Sequence, residues 1–540
     1  MFNELKTIIA DLYTGYSKSI CVTDIVHYNE VISNYFQYFS ENAFKQTTYV
    51  LNNLVESIDL IKPITPTTIQ LLQIFAWILV YFMSITSSVV LIQHLAIYWL
   101  KRNKRSESNG NNTSVIGKLP LISILIPIRN EEPSILKRII STIGLQEYPK
   151  NLIEVIVISD DSIENFKEIQ GSCIKQSSEL GLDVQVIGRE SPQGHKAGAL
   201  NYALKKSKGE YIAVFDVDSV LQPQFLRKAA SFLISNSKYD TVVGQWNPIN
   251  KNSPVAKAQG SGMEFLTEVF YTRKSTLDLP IIILGSGSVY RKSFLEEMGG
   301  WNEKILAEDI ELWVRSVLKG KKIAYLDDLR IGVEVPETYA AFKRQHSRWM
   351  YGTAQVLKRY FVDILRADIP ALWKIDIFTY LWHYEVLLTN VFLMGLSLVS
   401  IFLGLDLVIV SQYPSLWLLA LTAFYTYTYL DFFHGIGKNL KDCIFDLGTS
   451  TVIVSTLLPT ITLKIAKSLI GLRETWQVTP KGSRARSLTK KPVQEWAFGG
   501  LGILLGLYAL EIGLFATSSF LIMMSIPYIY VAIRTKDGLW

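Results

Sequence analysis

Two aspartates one residue apart, in Phe215-Asp216-Val217-Asp218, close the apolar run Tyr211 to Phe215. Residues two apart on an extended chain project to one side. Both carboxylates can therefore face a single point just past the carboxyl end of a strand, where open α/β sheets bind ligands. A hard divalent ion, Mg²⁺ or Mn²⁺, takes oxygen ligands of this kind and bridges to phosphate oxygens. Two acids ending a turn would read the same way, so the neighbouring segments matter. Ser159-Asp160-Asp161-Ser162 follows a second apolar run, Glu154 to Ile158. A carboxylate there can hold a ribose or a base, or Asp161 or Ser162 can cap the following helix. Upstream, Ile126-Pro127-Ile128-Arg129-Asn130-Glu131-Glu132 closes the first run and can wall a nucleotide. In His195-Lys196-Ala197-Gly198, Lys196 offers charge for a diphosphate and Gly198 a close-packed helix start.

The elements that must carry these residues are legible from hydrophobic patterning. Short Val/Ile-rich runs at Leu121 to Pro127, Glu154 to Ser159, Val184 to Ile187, Tyr211 to Phe215 and Thr241 to Gly244 alternate with amphipathic segments. That alternation predicts a mostly parallel sheet covered by helices, an α/β domain over residues 115–365.

Apolar segments of another kind flank this domain. Residues 1–67 have helical spacing with an aromatic cluster at Tyr35, Phe36, Tyr38 and Phe39, and end in the breakers Pro63 and Pro66; they read as a small helical module. Residues 68–100 follow as one transmembrane helix. At ~1.5 Å per residue, the apolar stretch from Leu71 to Leu100 exceeds the ~30 Å hydrocarbon layer but falls short of two crossings. Lys101, Arg102, Lys104 and Arg105 come next and place the α/β domain in the cytoplasm by the positive-inside tendency. Beyond Pro370, residues 366–540 combine interfacial and transmembrane helices, with crossings expected at 384–404, 413–433, 498–515 and 516–534. The stretch 444–470 is expected to be interfacial or re-entrant, because a crossing there would put the basic segment Lys481 to Lys491 on the far side. The expectation is thus about five crossings, in an integral protein of the plasma membrane.

Composition agrees with such a hybrid. Of 540 residues, 49% are hydrophobic and 19% charged, and the mean hydropathy of +0.22 requires the apolar residues to be bunched. A net charge of +6 with no concentrated basic arm suits anionic lipid heads and excludes nucleic acid as the expected partner. Cys21, Cys173 and Cys443 are too scattered for a disulfide framework or a zinc site. The first strongly apolar stretch begins near Ile74, so no cleavable secretory signal is expected.

Three further segments complete a pattern: Gly285-Ser286-Gly287-Ser288, Ala307-Glu308-Asp309 and Gln345-His346-Ser347-Arg348-Trp349. In order and content, the chain resembles the family 2 glycosyltransferases, specifically the membrane-integrated group of cellulose, chitin and hyaluronan synthases. That group carries Asp-Asp, Lys-Ala-Gly, Asp-x-Asp, Gly-Ser, Glu-Asp and Gln-x-x-Arg-Trp in sequence. Trp476-Gln477-Val478-Thr479-Pro480-Lys481 is similar to the Phe-x-Val-Thr-x-Lys gating loop of cellulose synthases, within a loop at 472–495. The resemblance implies a GT-A-like, Rossmann-like cytoplasmic domain inserted between transmembrane helices. It also implies an inverting transfer from a nucleotide diphosphate-sugar, a UDP-sugar by expectation, to a glycan or glycolipid.

The same resemblance implies the roles. Asp309 is the general base, near a helix start whose acidic first turn suits the dipole. Asp218 and Asp216 hold Mg²⁺ or Mn²⁺ against the leaving diphosphate. Pro127, Arg129, Glu131, Asp160, Asp161, Lys196, Asp216, Gln345, Arg348, Thr479 and Lys481 contact the nucleotide-sugar. Gly285, Ser286, Glu308 and Trp349 face the acceptor, the indole covering a sugar ring. Departures from the pattern are Arg129 where Tyr is usual, Ile282-Ile283-Leu284 before Gly285-Ser286, and Ala307 for Thr. The expected product is a secreted polysaccharide made processively; the alternatives are a single sugar added to a membrane lipid, or an inactive glycan-export scaffold. No cyclic-dinucleotide-binding domain is expected after the last crossing.

Overall fold

The computed structural model describes residues 66–100, 118–190, 192–472, 474 and 491–536. The N-terminal module expected before residue 66 and the gating-loop residues Thr479 and Lys481 lie outside these described residues.

The first helix, α1 (Pro66–Leu100), leads into the α/β unit. That unit runs β1 (Ile122–Ile128), α2 (Pro133–Gly144), β2 (Ile153–Ser159), α3 (Ile163–Leu180), β3 (Asp183–Gly188), α4 (His195–Lys206) and β4 (Tyr211–Val214). It continues with β5 (Val220–Leu221), α5 (Phe225–Ser235), β6 (Thr241–Pro248), α6 (Pro254–Thr267), β7 (Ser288–Arg291), α7 (Lys292–Met298), α8 (Glu308–Leu318) and β8 (Ile323–Val333). After it come α9 (Tyr339–Arg366), α10 (Ala371–Leu381), α11 (Glu385–Leu403), α12 (Gln412–Gly435), α13 (Leu440–Ser455), α14 (Leu458–Ile470), α15 (Val493–Glu511) and α16 (Phe515–Lys536).

The strands form one sheet in the order β3-β2-β1-β4-β7-β6-β8-β5. β1 and β2 are almost wholly apolar and buried because helices cover both faces. Pro133 opens α2 at its first position, and Ile135, Leu136, Ile139, Ile140 and Ile143 then fall on one buried stripe. One core packs that stripe against Ile122, Ile124 and Ile126, and a second, on the opposite face, joins Leu200, Ile212, Ile282 and Trp313. β1 pairs in parallel with both β2 and β4, so Ile128, Ser159 and Val214 bring their following loops to one edge. The expected mostly parallel sheet is in fact mixed. β7 runs antiparallel between β4 and β6, with Ser288 opposite Val214, and β5 is antiparallel to β8. The reversal has a consequence for the site, because it delivers the start of β7, rather than its end, to the edge reached by the end of β4.

The apolar helices pack onto this unit through specific polar ties. Arg273 donates to the Tyr98 carbonyl at 2.7 Å and lies 3.9 Å from the Tyr98 ring. Lys274, fully buried, pairs with Asp376 of α10 at 2.6 Å, and Gln93 of α1 donates to the other Asp376 oxygen at 2.8 Å. Among the described residues three helices are long and apolar enough to cross a membrane, Ile69–Leu100, Val493–Glu511 and Phe515–Lys536, or four if the bent pair of α13 and α14 is one span, against about five expected. The stretch Leu387–Leu403 of α11 is apolar and shorter than these three. In α12, Tyr413, Tyr425, Tyr427, Tyr429, Thr422, Thr426, Thr428 and Asp431 dilute the apolar content. The 444–470 stretch is the pair α13 and α14, bent by 51° at their junction; it has the form of a broken span or a re-entrant loop, the latter being the expectation.

Candidate active site

The residues singled out in the sequence gather at the carboxyl edge of β1, β2 and β4. Lys196, in the first turn of α4, is at their centre. Its ammonium donates to Asp216 Oδ1 at 2.8 Å and to the Gly285 carbonyl at 2.9 Å, and pairs with Glu308 Oε1 at 3.2 Å. Gly198 allows this placement, since a Cβ there would lie 2.1 Å from the Gln193 carbonyl and 2.8 Å from the Arg189 guanidinium. Burial pulls the Lys196 pKa down, but Asp216, Glu308 and Asp309 outweigh it and hold the ammonium well above the ordinary lysine range.

Asp309 follows Glu308 at the start of α8. Burial, reinforced by the Glu308 charge, pushes its carboxyl up to about 7, against the opposing Lys196 ammonium and the Ile310 N–H that donates to Asp309 Oδ1 at 2.8 Å. A carboxyl poised there suits proton abstraction at neutral pH. Gly285 is what lets the two motifs meet: a Cβ on it would sit 2.8 Å from Asp309 Oδ2 and 3.1 Å from Lys196 Nζ. Gly285→Ala is expected to lower kcat by about 10²-fold while leaving the melting temperature nearly unchanged, because displacing a reacting group by ~1 Å costs that much. Steady-state kinetics alongside a thermal melt checks it.

The Asp-Val-Asp segment differs from the extended form read from the sequence. β4 ends at Val214 and the chain turns, with Ser219 N–H donating to the Asp216 carbonyl at 3.0 Å. The turn separates the two carboxylates in exposure: the Asp216 side chain is 43% exposed, whereas Asp218 is 5% exposed. Arg138 of α2 donates to the Asp218 carbonyl at 3.1 Å and pairs with Glu334 at 2.6 Å, bracing the turn from behind. Among the described residues no three of His, Cys, Asp and Glu form a metal-ligand cluster. Asp216 and Asp218 fit the other kind of site, in which one or two carboxylates hold the ion and substrate phosphates and water complete it.

Ser286, expected at the acceptor, lies beneath the Asp216 turn. It is 1% exposed, and its hydroxyl accepts from the Asp216 N–H at 3.0 Å and meets the Ser219 hydroxyl at 2.7 Å. Its carbonyl takes the Trp246 indole N–H at 2.8 Å. The antiparallel β7 puts Ser286 behind the Asp216 turn, where it holds that turn in place.

Over residues 211–430 the chain matches the family profile described as "Glycosyl transferase family group 2". That stretch of the chain is thus similar to a family 2 glycosyltransferase domain. Its fold is GT-A-like, with the candidate membrane helices on either side. A probable glycosyltransferase of Sulfolobus acidocaldarius is 29% identical over 451 residues, covering 82% of this chain and 95% of that protein. Glucomannan 4-beta-mannosyltransferase 7 of Arabidopsis thaliana is 31% identical over 260 residues, covering 47% of this chain and 46% of its own. The chain thus spans about half the length of the plant relatives it matches. Among solved structures, the mannosyltransferase PcManGT from Pyrobaculum calidifontis, in complex with GDP-Man and Mn²⁺, aligns with a TM-score of 0.47 at 17% identity, over 73% of this chain and 100% of that one.

The other expected residues of this glycosyltransferase divide by position. Pro127 lies in β1 opposite Ile158, and Arg129 and Glu131 in the loop that follows. Asp160 is gripped by Arg189 through two hydrogen bonds of 2.6 and 2.5 Å, with both side chains buried. Asp161 accepts from the Asn130 N–H and from the Ser159 hydroxyl, tying the β1 and β2 loops together. Its role in the structure is that tie and not the helix cap, which falls at Ser162. Gln345, Arg348 and Trp349 occur along α9; Gln345 Oε1 is buried and has no hydrogen-bond partner among the described residues. Burial pulls the Arg348 pKa down against the opposing charges of Asp216, Glu308, Asp309 and Asp218, so the guanidinium is near enough to feel the same acidic centre. Trp349 is half-buried, its ring 5.0 Å from that of His346. Sequence reading missed Arg138, Arg189 and Trp246. Each acts through another residue's carbonyl, carboxylate or turn, and no local pattern announces such contacts.

Proposed function

We propose that this glycosyltransferase transfers a hexose, with inversion, from a nucleotide diphosphate-sugar to a growing polysaccharide at the cytoplasmic face of a membrane. The observation carrying the reading is the convergence on Lys196 of Asp216, Glu308 and the Gly285 that abuts Asp309. The proposed reaction needs an acceptor hydroxyl deprotonated and a leaving diphosphate neutralised, in one place. Asp309 takes the proton from the acceptor hydroxyl as its oxygen attacks the anomeric carbon. The bond to the diphosphate breaks on the opposite side, so a single displacement inverts that carbon. Lys196 and Arg348 supply fixed positive charge toward the departing diphosphate. Asp218 and Asp216 would hold Mg²⁺ or Mn²⁺, which when bound supplies Lewis-acid stabilisation of that leaving group. Trp349 presents an indole face to the acceptor sugar, and Gln345 Oε1 is the buried acceptor a donor hydroxyl can satisfy.

Mannose is the first donor sugar to test, because the plant relatives are named for mannosyl transfer, although the sequence expectation was a UDP-sugar. The purified protein in nanodiscs is supplied with radiolabelled GDP-mannose and with UDP-hexoses singly, and products are separated by size. A long glycan from one donor supports the proposal; a single-sugar lipid means non-processive transfer; no product from any donor overturns it. In the same assay, chelation of divalent ions is expected to lower turnover at least ~10²-fold, with recovery on adding Mn²⁺ or Mg²⁺. Asp218→Asn is expected to raise the metal concentration needed for half-maximal rate.

A further inference from the structure

Glu311 stands two residues beyond Asp309 on α8 and has no part in the chemistry proposed above, yet it is fully buried. A carboxylate withdrawn from water needs partners, and those of Glu311 come from outside its own helix as well as within it. Its Oε1 accepts from the Tyr360 hydroxyl of α9, from Arg315 Nε at 3.0 Å and from Asn302 Nδ2 at 3.4 Å, while Oε2 accepts from Arg315 Nη2 at 2.8 Å. Arg315 also donates to the Met298 carbonyl and, at 2.9 Å, to the Gly300 carbonyl. The carboxylate therefore joins α8 both to α9 and to the segment 298–307 that leads into Glu308 and Asp309.

Two further contacts join the same elements. The Leu306 N–H donates to Gln355 Oε1 of α9 at 2.9 Å. A Cβ on Gly352 would lie 2.6 Å from the Ala307 Cβ and 3.0 Å from the Ala307 nitrogen. Glycine weakens a helix interior, and this close approach of α9 to Ala307 accounts for one being there. On the other side, Asn201 of α4 grips the same segment, accepting from the Trp301 N–H at 2.9 Å and donating to the Trp301 carbonyl at 2.8 Å. The approach to Asp309 is thus clamped between the helix that carries Lys196 and the helix that carries Arg348.

Gly352 and Gln355 follow Gln345 and Arg348 at steps of four and three, so they continue one face of α9, and Tyr360 lies about two turns beyond Gly352. The first half of that face reaches the acidic centre through Arg348, and the second half holds the start of α8. We propose that Gln355, Tyr360 and Glu311 are positioning residues, which fix Asp309 on α8 relative to Arg348 on α9. The assignment rests on the proposed transfer, in which Asp309 takes the acceptor proton while Arg348 faces the departing diphosphate, so a relative displacement of ~1 Å costs on the order of 10²-fold in rate.

The test uses the whole protein in nanodiscs with radiolabelled GDP-mannose and UDP-hexoses supplied singly, and rates are read well below each variant's melting temperature. Gln355→Leu and Tyr360→Phe are each expected to lower kcat about fivefold while donor KM stays within about twofold, since the displaced group is the base and the donor contacts remain. Gly352→Ala is expected to lower kcat about thirtyfold by pushing α9 away from Ala307. Adding Ala307→Gly, which removes the atom nearest the new methyl, should restore most of that loss. Without donor, amide hydrogen exchange at Leu306 should be faster in Gln355→Leu than in the wild type. A role confined to stability would lower the melting temperature and leave kcat of the folded enzyme unaltered. An active wild type whose variants keep kcat, or a Gly352→Ala loss that Ala307→Gly does not relieve, overturns the positioning role and leaves the transferase reading standing. A wild type inactive with every donor overturns that reading, and the positioning role with it.

Discussion

Asp309→Asn is expected to lower turnover by about 10²–10⁴-fold with donor affinity and fold preserved, the range lost when a positioned general base is removed. The amide keeps the shape beside Gly285, where Asp309 Oδ2 leaves no room for a Cβ, and it still accepts from the Ile310 N–H. What it lacks is the capacity to take a proton. Two pH measurements separate this from a packing effect. With its pKa pushed up to about 7, Asp309 is ionised only as pH rises through neutrality, so wild-type kcat should climb there and level off above it. Stability runs the other way. A carboxyl whose pKa is raised on folding binds more protons in the native state than in the unfolded chain, so stability falls as pH rises from the ordinary carboxylate range to about 7. The Asn variant should lose both features: a low, flat rate and a melting temperature that no longer declines across that window on account of this group. An Asn variant that keeps the wild-type rate would remove Asp309 from the mechanism.

The parts of this architecture that were legible in the sequence are those in which one residue type repeats for one physical reason. β1, β2 and β4 read as strands because both faces are buried and nearly every position is apolar. The helix start at Asp309 and the close-packed Gly198 were visible because α8 carries three acids in its first turn and because a helix start tolerates only a glycine so near another backbone. β7 escaped notice because Ser288, Val289, Tyr290 and Arg291 make too short and mixed a run to signal a strand, and no local pattern encodes its reversed direction. The support that Ser286 gives the Asp216 turn follows from that direction and so has no signal in the sequence. The number of crossings is less legible for a related reason. An apolar run fixes neither helix length nor depth, so α11 and the tyrosine-rich α12 read like α1, α15 and α16 in the sequence, while among the described residues only the latter three are long and apolar enough singly to cross.

Lys196→Met should be the most informative replacement after Asp309, because it removes the counter-charge bonded directly within the acidic centre. The ammonium is bonded to Asp216 and the Gly285 carbonyl, paired with Glu308, and depresses the Asp309 pKa. Methionine fills nearly the same volume and takes the ammonium away from two carboxylates. Breaking a buried pair costs about 3–5 kcal/mol, and the lower end applies here because the Asp216 side chain is 43% exposed and can be solvated. The kinetic effect has a sign of its own. Without Lys196 the Asp309 carboxyl rises further above about 7, so the rising limb of the pH-rate profile moves to higher pH and neutral turnover drops, with partial recovery in alkaline buffer. Lost charge at the departing diphosphate adds a pH-independent deficit of roughly 10²-fold, as for other electrostatic groups aimed at a leaving group. Lys196→Arg keeps the charge but not its point geometry, so it should restore the position of the limb more fully than the height of the plateau. If the Met variant shows the wild-type profile merely scaled down, Lys196 acts on the diphosphate alone, and its link to Asp309 is refuted.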